Sequence, residues 1–312
     1  MTTVRTIKSS NAEKLSKTEW FMSLNYAQRQ RLRYFEARLL WEGHVNRQEV
    51  CDQFGVTANH FTRDVRLYKA HFPENISYDV SKRTYKPTHK FNPKIANGQP
   101  EEYLALLRGY ANHPSTSILA EIGSFVPTSV MEEPQGVIDQ KLLRIILFGI
   151  HHRLGVRINY QSFSHGEVSE RTVWPHALAW AGFRWHVRAY DQIRGGYIDL
   201  VLTRILNANA GKEEIPSDAG RDNDWYETEE IEIIPAPHLS ATQQQAVANE
   251  YGMKKTSTGY QWSVTIRRCL VPYFLYYYRL DEEPKQNQTN TFHRRVILKN
   301  AAEICKHTFP ED

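Results

Sequence analysis

Cysteine is scarce in this 312-residue chain. Cys51, Cys269 and Cys305 are widely spaced and odd in number. That pattern argues against a disulfide framework or a zinc site and fits reduced, buried thiols. Long apolar runs are missing too. The longest, around Leu142 to Ile150, is interrupted by Arg144 and falls far short of the roughly 20 residues a bilayer demands, so no membrane partner is expected. The N-terminal residues carry no apolar core of a secretory signal, which predicts a cytoplasmic protein. No H-E-x-x-H, P-loop or nucleophile elbow occurs, and no carboxylate cluster suited to a divalent metal is visible. The expectation is therefore no catalytic residue, no metal and no cofactor. Internal repeats and low-complexity tracts are absent as well.

What is present is enough for packed cores: 41% hydrophobic residues, 12% aromatic, seven Trp and 17 Tyr. The length suggests two or three domains. Charge is unevenly spread. Residues 1–90 hold 16 Lys and Arg against 9 Asp and Glu, a net of +7, whereas the whole chain is only +4, leaving −3 for residues 91–312. A basic segment on a nearly neutral body is the electrostatic footprint of a nucleic-acid-binding module.

Residues 44–86 read as a winged helix-turn-helix. Asn46-Arg47-Gln48-Glu49 has capping-box spacing, and Val50, Cys51 and Phe54 follow as a short apolar stripe. Gly55 breaks that helix and Thr57 can cap the next, whose apolar face is Phe61, Val65 and Tyr68. The opposite face carries Asn59, His60, Thr62, Arg63 and Arg66, side chains suited to base edges and phosphates in a major groove. After Pro73 the period becomes that of a strand: Ile76, Tyr78 and Val80 alternate, Ser81-Lys82-Arg83-Thr84 turns, and Tyr85-Lys86 returns. Lys82 and Arg83 form the basic tip a wing needs. The competing view is a helix pair of the kind common in any α-rich domain.

The rest of the chain is read more coarsely. Residues 1–18 are polar. Residues 19–42 look like one helix in which Arg29, Arg31, Arg33 and Arg38 form a solvated basic face, with phosphate contact or dimer packing as alternatives. Residues 89–100 read as a linker, and a helix is expected at 101–110. An apolar helix at 137–152 leads into strands at Val156–Tyr160, Glu170–Trp174, Phe183–Tyr190 and Tyr197–Ile205, a spacing that implies a small curved sheet or barrel. Residues 207–230 look loop-like and acidic, with 9 Asp and Glu to 2 Lys and Arg between Gly211 and Glu232. The last unit reads β-α-β-α-β. It has strands near Ile231–Ile234, Gln261–Arg267 and Arg294–Leu298, and helices after Ser240 and from Cys269 to Leu280.

One middle strand is unusual. Alternation in Phe183-Arg-Trp-His-Val-Arg-Ala-Tyr190 puts Arg184, His186, Arg188 and Tyr190 on one face. Nearby segments add Tyr160, Ser162, Arg171, His176 and Arg204. Clustered Arg, His, Tyr and Ser without matching acids suit an anion or nucleotide pocket, although a solvent-facing strand with scattered charges fits equally. His151, His152, His165, His176 and His186 could serve acid/base work, but none has ligand spacing.

On these residues the chain resembles the WYL-domain transcriptional regulators, and among them the BrxR/CapW type of repressor that accompanies bacterial anti-phage systems. The resemblance is carried by the winged helix-turn-helix, by Ile158-Asn-Tyr-Gln-Ser162, Arg171-Thr-Val-Trp-Pro-His176, Phe183 to Tyr190 and Leu202-Thr-Arg204-Ile205, and by Pro237-His-Leu-Ser-Ala-Thr-Gln-Gln-Gln and Glu250-Tyr-Gly-Met253. The name-giving Trp-Tyr-Leu stands here as Trp185-His186-Val187.

The resemblance implies an α+β multidomain chain: a winged helix-turn-helix (1–90), a linker with connecting helices (91–136), a WYL domain with an Sm/SH3-like barrel (137–208), an acidic linker (209–230) and a small C-terminal α/β sandwich (231–312). It also implies a homodimeric, nucleoid-associated repressor on a palindromic double-stranded operator. A nucleotide or oligonucleotide effector would be held by Tyr160, Ser162, His176, His186, Arg188, Tyr190 and Arg204. An activator of the same architecture, or a nucleic-acid-processing enzyme using the basic pocket, are the alternatives.

Overall fold

The computed structural model describes residues 17–96, 98–123, 126–132, 134, 136–163, 166–281 and 295–309. The polar stretch 1–16, His165 and Arg294 lie outside the described residues. The chain divides into two compact units, residues 1–132 and 133–312.

In the first unit, the helix expected over 19–42 is two helices, α1 (Lys17–Ser23) and α2 (Tyr26–Glu42). Asn25 causes the break: its extended backbone and side-chain oxygen cap α2 by accepting from the Gln28 N–H at 2.9 Å. The expected solvated face of α2 is instead largely consumed in ion pairs. Arg31 pairs with Asp64 at 2.7 Å, Arg33 with Glu121 at 2.7 Å, and Arg38 with both Glu42 and Glu49.

A short strand β1 (Val45–Asn46) follows, then α3 (Arg47–Phe54) and α4 (Ala58–His71). Asn46 and Glu49 form the reciprocal capping box. Gly55 turns the chain at φ 61°, a left-handed conformation that favours glycine. Strands β2 (Ile76–Asp79) and β3 (Thr84–Pro87) make the hairpin, in a sheet ordered β1-β3-β2. Val80 falls in the exposed turn rather than the strand, because Asp79 ends β2 by accepting from the Ser81 hydroxyl, the Lys82 N–H and the Lys86 ammonium. Phe35, Phe61, Tyr68 and Tyr85 pack edge to face at the centre, each fully buried ring contributing about 1.5–3 kcal/mol. Helices α5 (Pro100–Asn112) and α6 (Thr116–Ile122) complete the unit.

A buried carboxylate ties this core to the segment after the wing. Glu36 accepts from the Tyr68 hydroxyl at 2.5 Å and from the successive N–H groups of Lys94, Ile95 and Ala96 at 2.9, 2.5 and 2.7 Å. Burial raises its carboxyl above the usual range, and these hydrogen bonds oppose the rise.

The second unit opens with α7 (Gln140–His152), capped by Asp139. It presents Leu142 and Ile146 to a sheet built from β4 (Leu154–Gln161), β5 (Val168–Trp180), β6 (Trp185–Asp191), β7 (Gly196–Val201) and β8 (Ile205–Glu214). The order is β7-β6-β5-β4-β8, all antiparallel. Among the described residues no pairing joins β7 to β8, so the sheet is open where the resemblance implies a closed barrel.

The acidic stretch from 207 is not loop-like throughout. Its first part continues as β8, an edge strand with only Ile205 and Ala208 buried, which tolerates the charged outer face. It then forms the short helix α8 (Asn223–Tyr226). The remaining elements are β9 (Thr228–Pro235), α9 (Ala241–Glu250), β10 (Lys254–Thr256), β11 (Gly259–Arg267), α10 (Val271–Tyr277), β12 (Val296–Leu298) and α11 (Ala301–Ile304). Ser240 and Gln243 form the capping box of α9. The sheet order is β10-β11-β9-β12, over a core that includes Ile231, Ile233, Val271 and Leu275. Strand β10 and helix α11 are elements the sequence pattern did not reveal. No helix of the described residues is long and apolar enough to cross a membrane.

Candidate functional site

Two charged regions concentrate the candidate chemistry, one in each unit. In the first, the capping of α4 by Thr57 and the burial of Phe61, Asp64, Val65 and Tyr68 leave one helix face outward. Asn59, His60, Arg63 and Arg66 are exposed on it. Thr62 is half-buried and donates to the Ala58 carbonyl at 2.7 Å, so its hydroxyl is engaged within the helix. Lys69, one turn beyond Arg66, is exposed as well; the i+3 spacing was its only sequence signal. Lys82 and Arg83 stand exposed at the hairpin tip, where Arg83 adopts φ 51°. None of Arg63, Arg66, Lys69, Lys82 and Arg83 has an acidic partner among the described residues, in contrast to Arg31, Arg33 and Arg38 of α2.

In the second unit a cavity of about 480 Å³ opens against β6 and β7. Four guanidinium groups line it: Arg171, Arg184, Arg194 and Arg204. Arg171 is already used. It donates to the Ser169 hydroxyl and, at 2.8 Å, to the fully buried Asp191, and lies over the Tyr160 ring. Asp191 also accepts from the Ile193 and Arg194 N–H groups, which fixes the turn bringing Arg194 to the cavity. Arg184 and Arg204 rest on the rings of Phe183 and Phe163 and have no acidic partner among the described residues. Ser162 lines the cavity too, and the Tyr160 hydroxyl accepts from the Val201 N–H.

The most telling group is His186. It is 1% exposed, and neither ring nitrogen has a hydrogen-bond partner among the described residues. Burial, reinforced by the charges of Arg184 and Arg204, lowers its pKa to about 4, so it is neutral at pH 7. Beside it in the cavity wall stands Asp199. One of its oxygens faces Arg188 at 3.3 Å and the other is buried without a partner among the described residues. Burial raises this carboxyl despite Arg188. Tyr273 of α10 lies 4.7 Å from the His186 ring, and Phe309 meets Tyr273 edge on at 4.9 Å. Both belong to the C-terminal part of the unit and both line the cavity.

The remaining pocket candidates lie elsewhere. Arg188 is 4% exposed and forms a two-pronged ion pair with Asp222 at 2.7 and 2.8 Å, and His176 reaches the same carboxylate at 2.9 Å. A register shift between Pro175 and Ala177 makes His176 the extra residue of β5 and frees it for this contact. Burial alone would push the Asp222 carboxyl up. The hydrogen bonds from Arg188 and His176 outweigh it and hold the group well below the usual carboxylate range. Tyr190 packs between Trp174 and Tyr197. Of the seven sequence candidates, Tyr160, Ser162, His186 and Arg204 line the cavity, while His176, Arg188 and Tyr190 do not.

Sequence reasoning missed Phe163, Arg194, Asp199, Tyr273 and Phe309, and had no reason to join Asp222 to Arg188 across 34 residues. His152 stacks on Phe148, and His151 is exposed on the same helix end. Among the described residues no cluster of His, Cys, Asp and Glu is placed to hold a metal ion. Cys51 and Cys269 are buried free thiols, whereas Cys305, expected to be buried, is exposed.

Three family models match the chain in order. They are the BrxR transcriptional regulator winged helix-turn-helix domain over residues 27–109, the WYL domain over 141–210, and the BrxR transcriptional regulator C-terminal dimerization domain over 228–304. A DNA-binding transcriptional repressor CapW of Escherichia coli (strain KTE188) is 31% identical over 280 residues, 89% of this chain and 91% of the relative.

The chain belongs to the BrxR/CapW family of WYL-domain transcriptional repressors.

Other CapW repressors agree, at 29% identity from Pseudomonas aeruginosa and 26% from Stenotrophomonas maltophilia, each over about nine-tenths of both chains. The family is one of regulators, and this BrxR/CapW chain is not an enzyme. Among solved structures, the proteasome accessory factor B/C (PafBC) of Arthrobacter aurescens is matched over 91% of this chain, at 14% identity and a TM-score of 0.28. This chain spans 46% of that one.

Proposed function

We propose that this BrxR/CapW-family chain is a homodimeric repressor that binds a palindromic operator in the cytoplasm, at the nucleoid, and controls an anti-phage defence operon. The observation that carries the DNA-binding reading is the exposed face of α4, where Asn59, Arg63 and Arg66 have no internal partner among the described residues, beside a basic hairpin tip. Two such helices enter successive major grooves roughly 34 Å apart. Asn59, His60, Arg63 and Arg66 read bases, and Lys82 and Arg83 meet backbone or minor groove. The relatives, named as repressors, favour repression over activation.

An anionic, nucleotide-like effector occupies the cavity of the second unit, held by Arg184, Arg194 and Arg204. Its contents touch Tyr273, which lies within the segment matched by the dimerization-domain model, and Phe309, which lies just past the end of that segment. Binding is thereby felt at the dimer contact, and the spacing of the two reading heads changes. This works only if the effector binds the two states with different affinity.

The test is a titration of the purified protein against DNA upstream of its own gene, with excess random duplex, at two salt concentrations. Tight binding that resists competition is expected. Weak binding that vanishes with salt would reduce the helix face to a phosphate-tracking surface.

A further inference from the structure

The cavity lining carries two chemically different sets of groups. Arg184, Arg194 and Arg204 offer positive charge to an anion. His186 and Asp199 present polar atoms that are buried and without partners among the described residues, with the Tyr273 ring against His186. A simple oxyanion would satisfy the arginines but would be repelled by the carboxylate. It would also leave both ring nitrogens of His186 and one oxygen of Asp199 unpaired, at the desolvation cost that makes such groups rare. A ligand that satisfies both sets carries an anionic head and, on a flat body, an N–H donor for Asp199 beside a group that pairs with a neutral imidazole. The cavity volume of about 480 Å³ falls within the roughly 300–1,000 Å³ of small-molecule sites.

Resting on the reading that this cavity takes the effector, we infer that Asp199 and His186 select a nucleotide whose base carries an exocyclic amine. The phosphate lies among the arginines, the base lies against Tyr273, and the amine donates to the free Asp199 oxygen. A base with a carbonyl at that position brings two acceptors face to face and is rejected. The imidazole of His186 matches either ring-nitrogen pattern by choosing its tautomer, so it completes the pairing while Asp199 supplies the discrimination. Rejection of a ligand that leaves a buried polar group unpaired is the strongest form of small-ligand selectivity.

The test uses two nearly isosteric pairs, AMP against IMP and CMP against UMP, with inorganic phosphate as a fifth ligand. Binding to the full-length protein is measured by calorimetry. We expect the amine-bearing member of at least one pair to bind 10-fold or more tighter than its oxo partner. The ratio should fall to near 1 in Asp199→Asn, whose amide can turn either its oxygen or its NH2 toward the base. His186→Phe should weaken both members of a pair together, which keeps the test usable should Asp199→Asn fold poorly. Equal binding within both pairs, or nucleotides binding no tighter than phosphate, overturns this inference and leaves an anion sensor standing. Failure of all five ligands removes the effector reading and the inference with it.

Discussion

His186 and Arg188 lie two residues apart on one strand and one face, yet they meet opposite fates. Arg188 is surrounded by acids: Asp222 grips it at two points, Asp199 faces it across the β6–β7 register, and Asp224 lies 3.7 Å away. His186 is buried just as deeply and has no polar partner among the described residues. A buried charge whose hydrogen bonds are all made is part of the scaffold. A buried polar group whose bonds are unmade lacks a partner that the fold itself supplies, at a cost in free energy. The same contrast recurs in the first unit, between the ion-paired Arg31, Arg33 and Arg38 of α2 and Arg63 and Arg66 of α4, which have no acidic partner among the described residues.

The sharpest way to break the comparison is to orphan the satisfied side. Asp222→Ala leaves Arg188 buried without its main counter-charge, which should cost about 3–5 kcal/mol and lower the melting temperature of the full chain by roughly 10 °C. Loss of only a degree or two would show that Asp199 and Asp224 suffice for Arg188.

Next in size is a pH effect at His186. Its folded pKa is about 4, against about 6.5 when unfolded. Between these values the unfolded chain binds a proton that the folded chain refuses. Stability should therefore fall as pH drops through this window, by up to about 3 kcal/mol. Arg184 and Arg204 reinforce the effect. Asp199, whose carboxyl is raised, takes up a proton earlier on acidification and offsets part of it near the acid end. His186→Phe should flatten the thermal melts between pH 4.5 and 6.5 and cost little at pH 7. An unchanged pH profile would mean that the imidazole is not buried neutral.

Removing a guanidinium that has no acidic partner among the described residues should act on binding instead. Arg63→Ala should weaken operator binding by about 1–3 kcal/mol while random duplex binds as before, read by competition titration. Arg204→Ala should change stability by less than about 0.5 kcal/mol yet abolish effector release of the operator. A large loss of stability would move Arg204 to the scaffold side of the comparison. The smallest effect belongs to the wing tip: replacing Lys82 and Arg83 with Ala should lower the salt dependence of DNA binding by about one phosphate contact each, with little change in sequence preference.

Much of the first unit was legible because its signals are local. Asn46 with Glu49, Gly55 and Thr57 announce helix ends within four residues of themselves, and Phe61, Val65 and Tyr68 announce a face by period alone. The break at Asn25 was missed because an apolar pattern, Leu24 and Tyr26 followed by Leu32 and Phe35, runs across it and hides the cap. In the second unit, alternation in β6 put Arg184, His186, Arg188 and Tyr190 on one face, but alternation does not say which neighbours cover that face. Asp222 sat in a stretch whose composition suggested a loop. Tyr273 and Phe309 follow the cavity's other residues by scores of positions, and nothing nearby in sequence marks them.

Sequence by itself determined much of the order of elements, the uneven charge, the exposed polar face of α4 and the family, because capping, periodicity and composition act over a few residues. Only the tertiary structure decided which polar groups are spent and which are available. Partner choice for Arg188, His176 and Glu36 spans 34 to 60 residues of chain, and a side chain's partner at that range depends on which surfaces pack together, a matter no local pattern encodes.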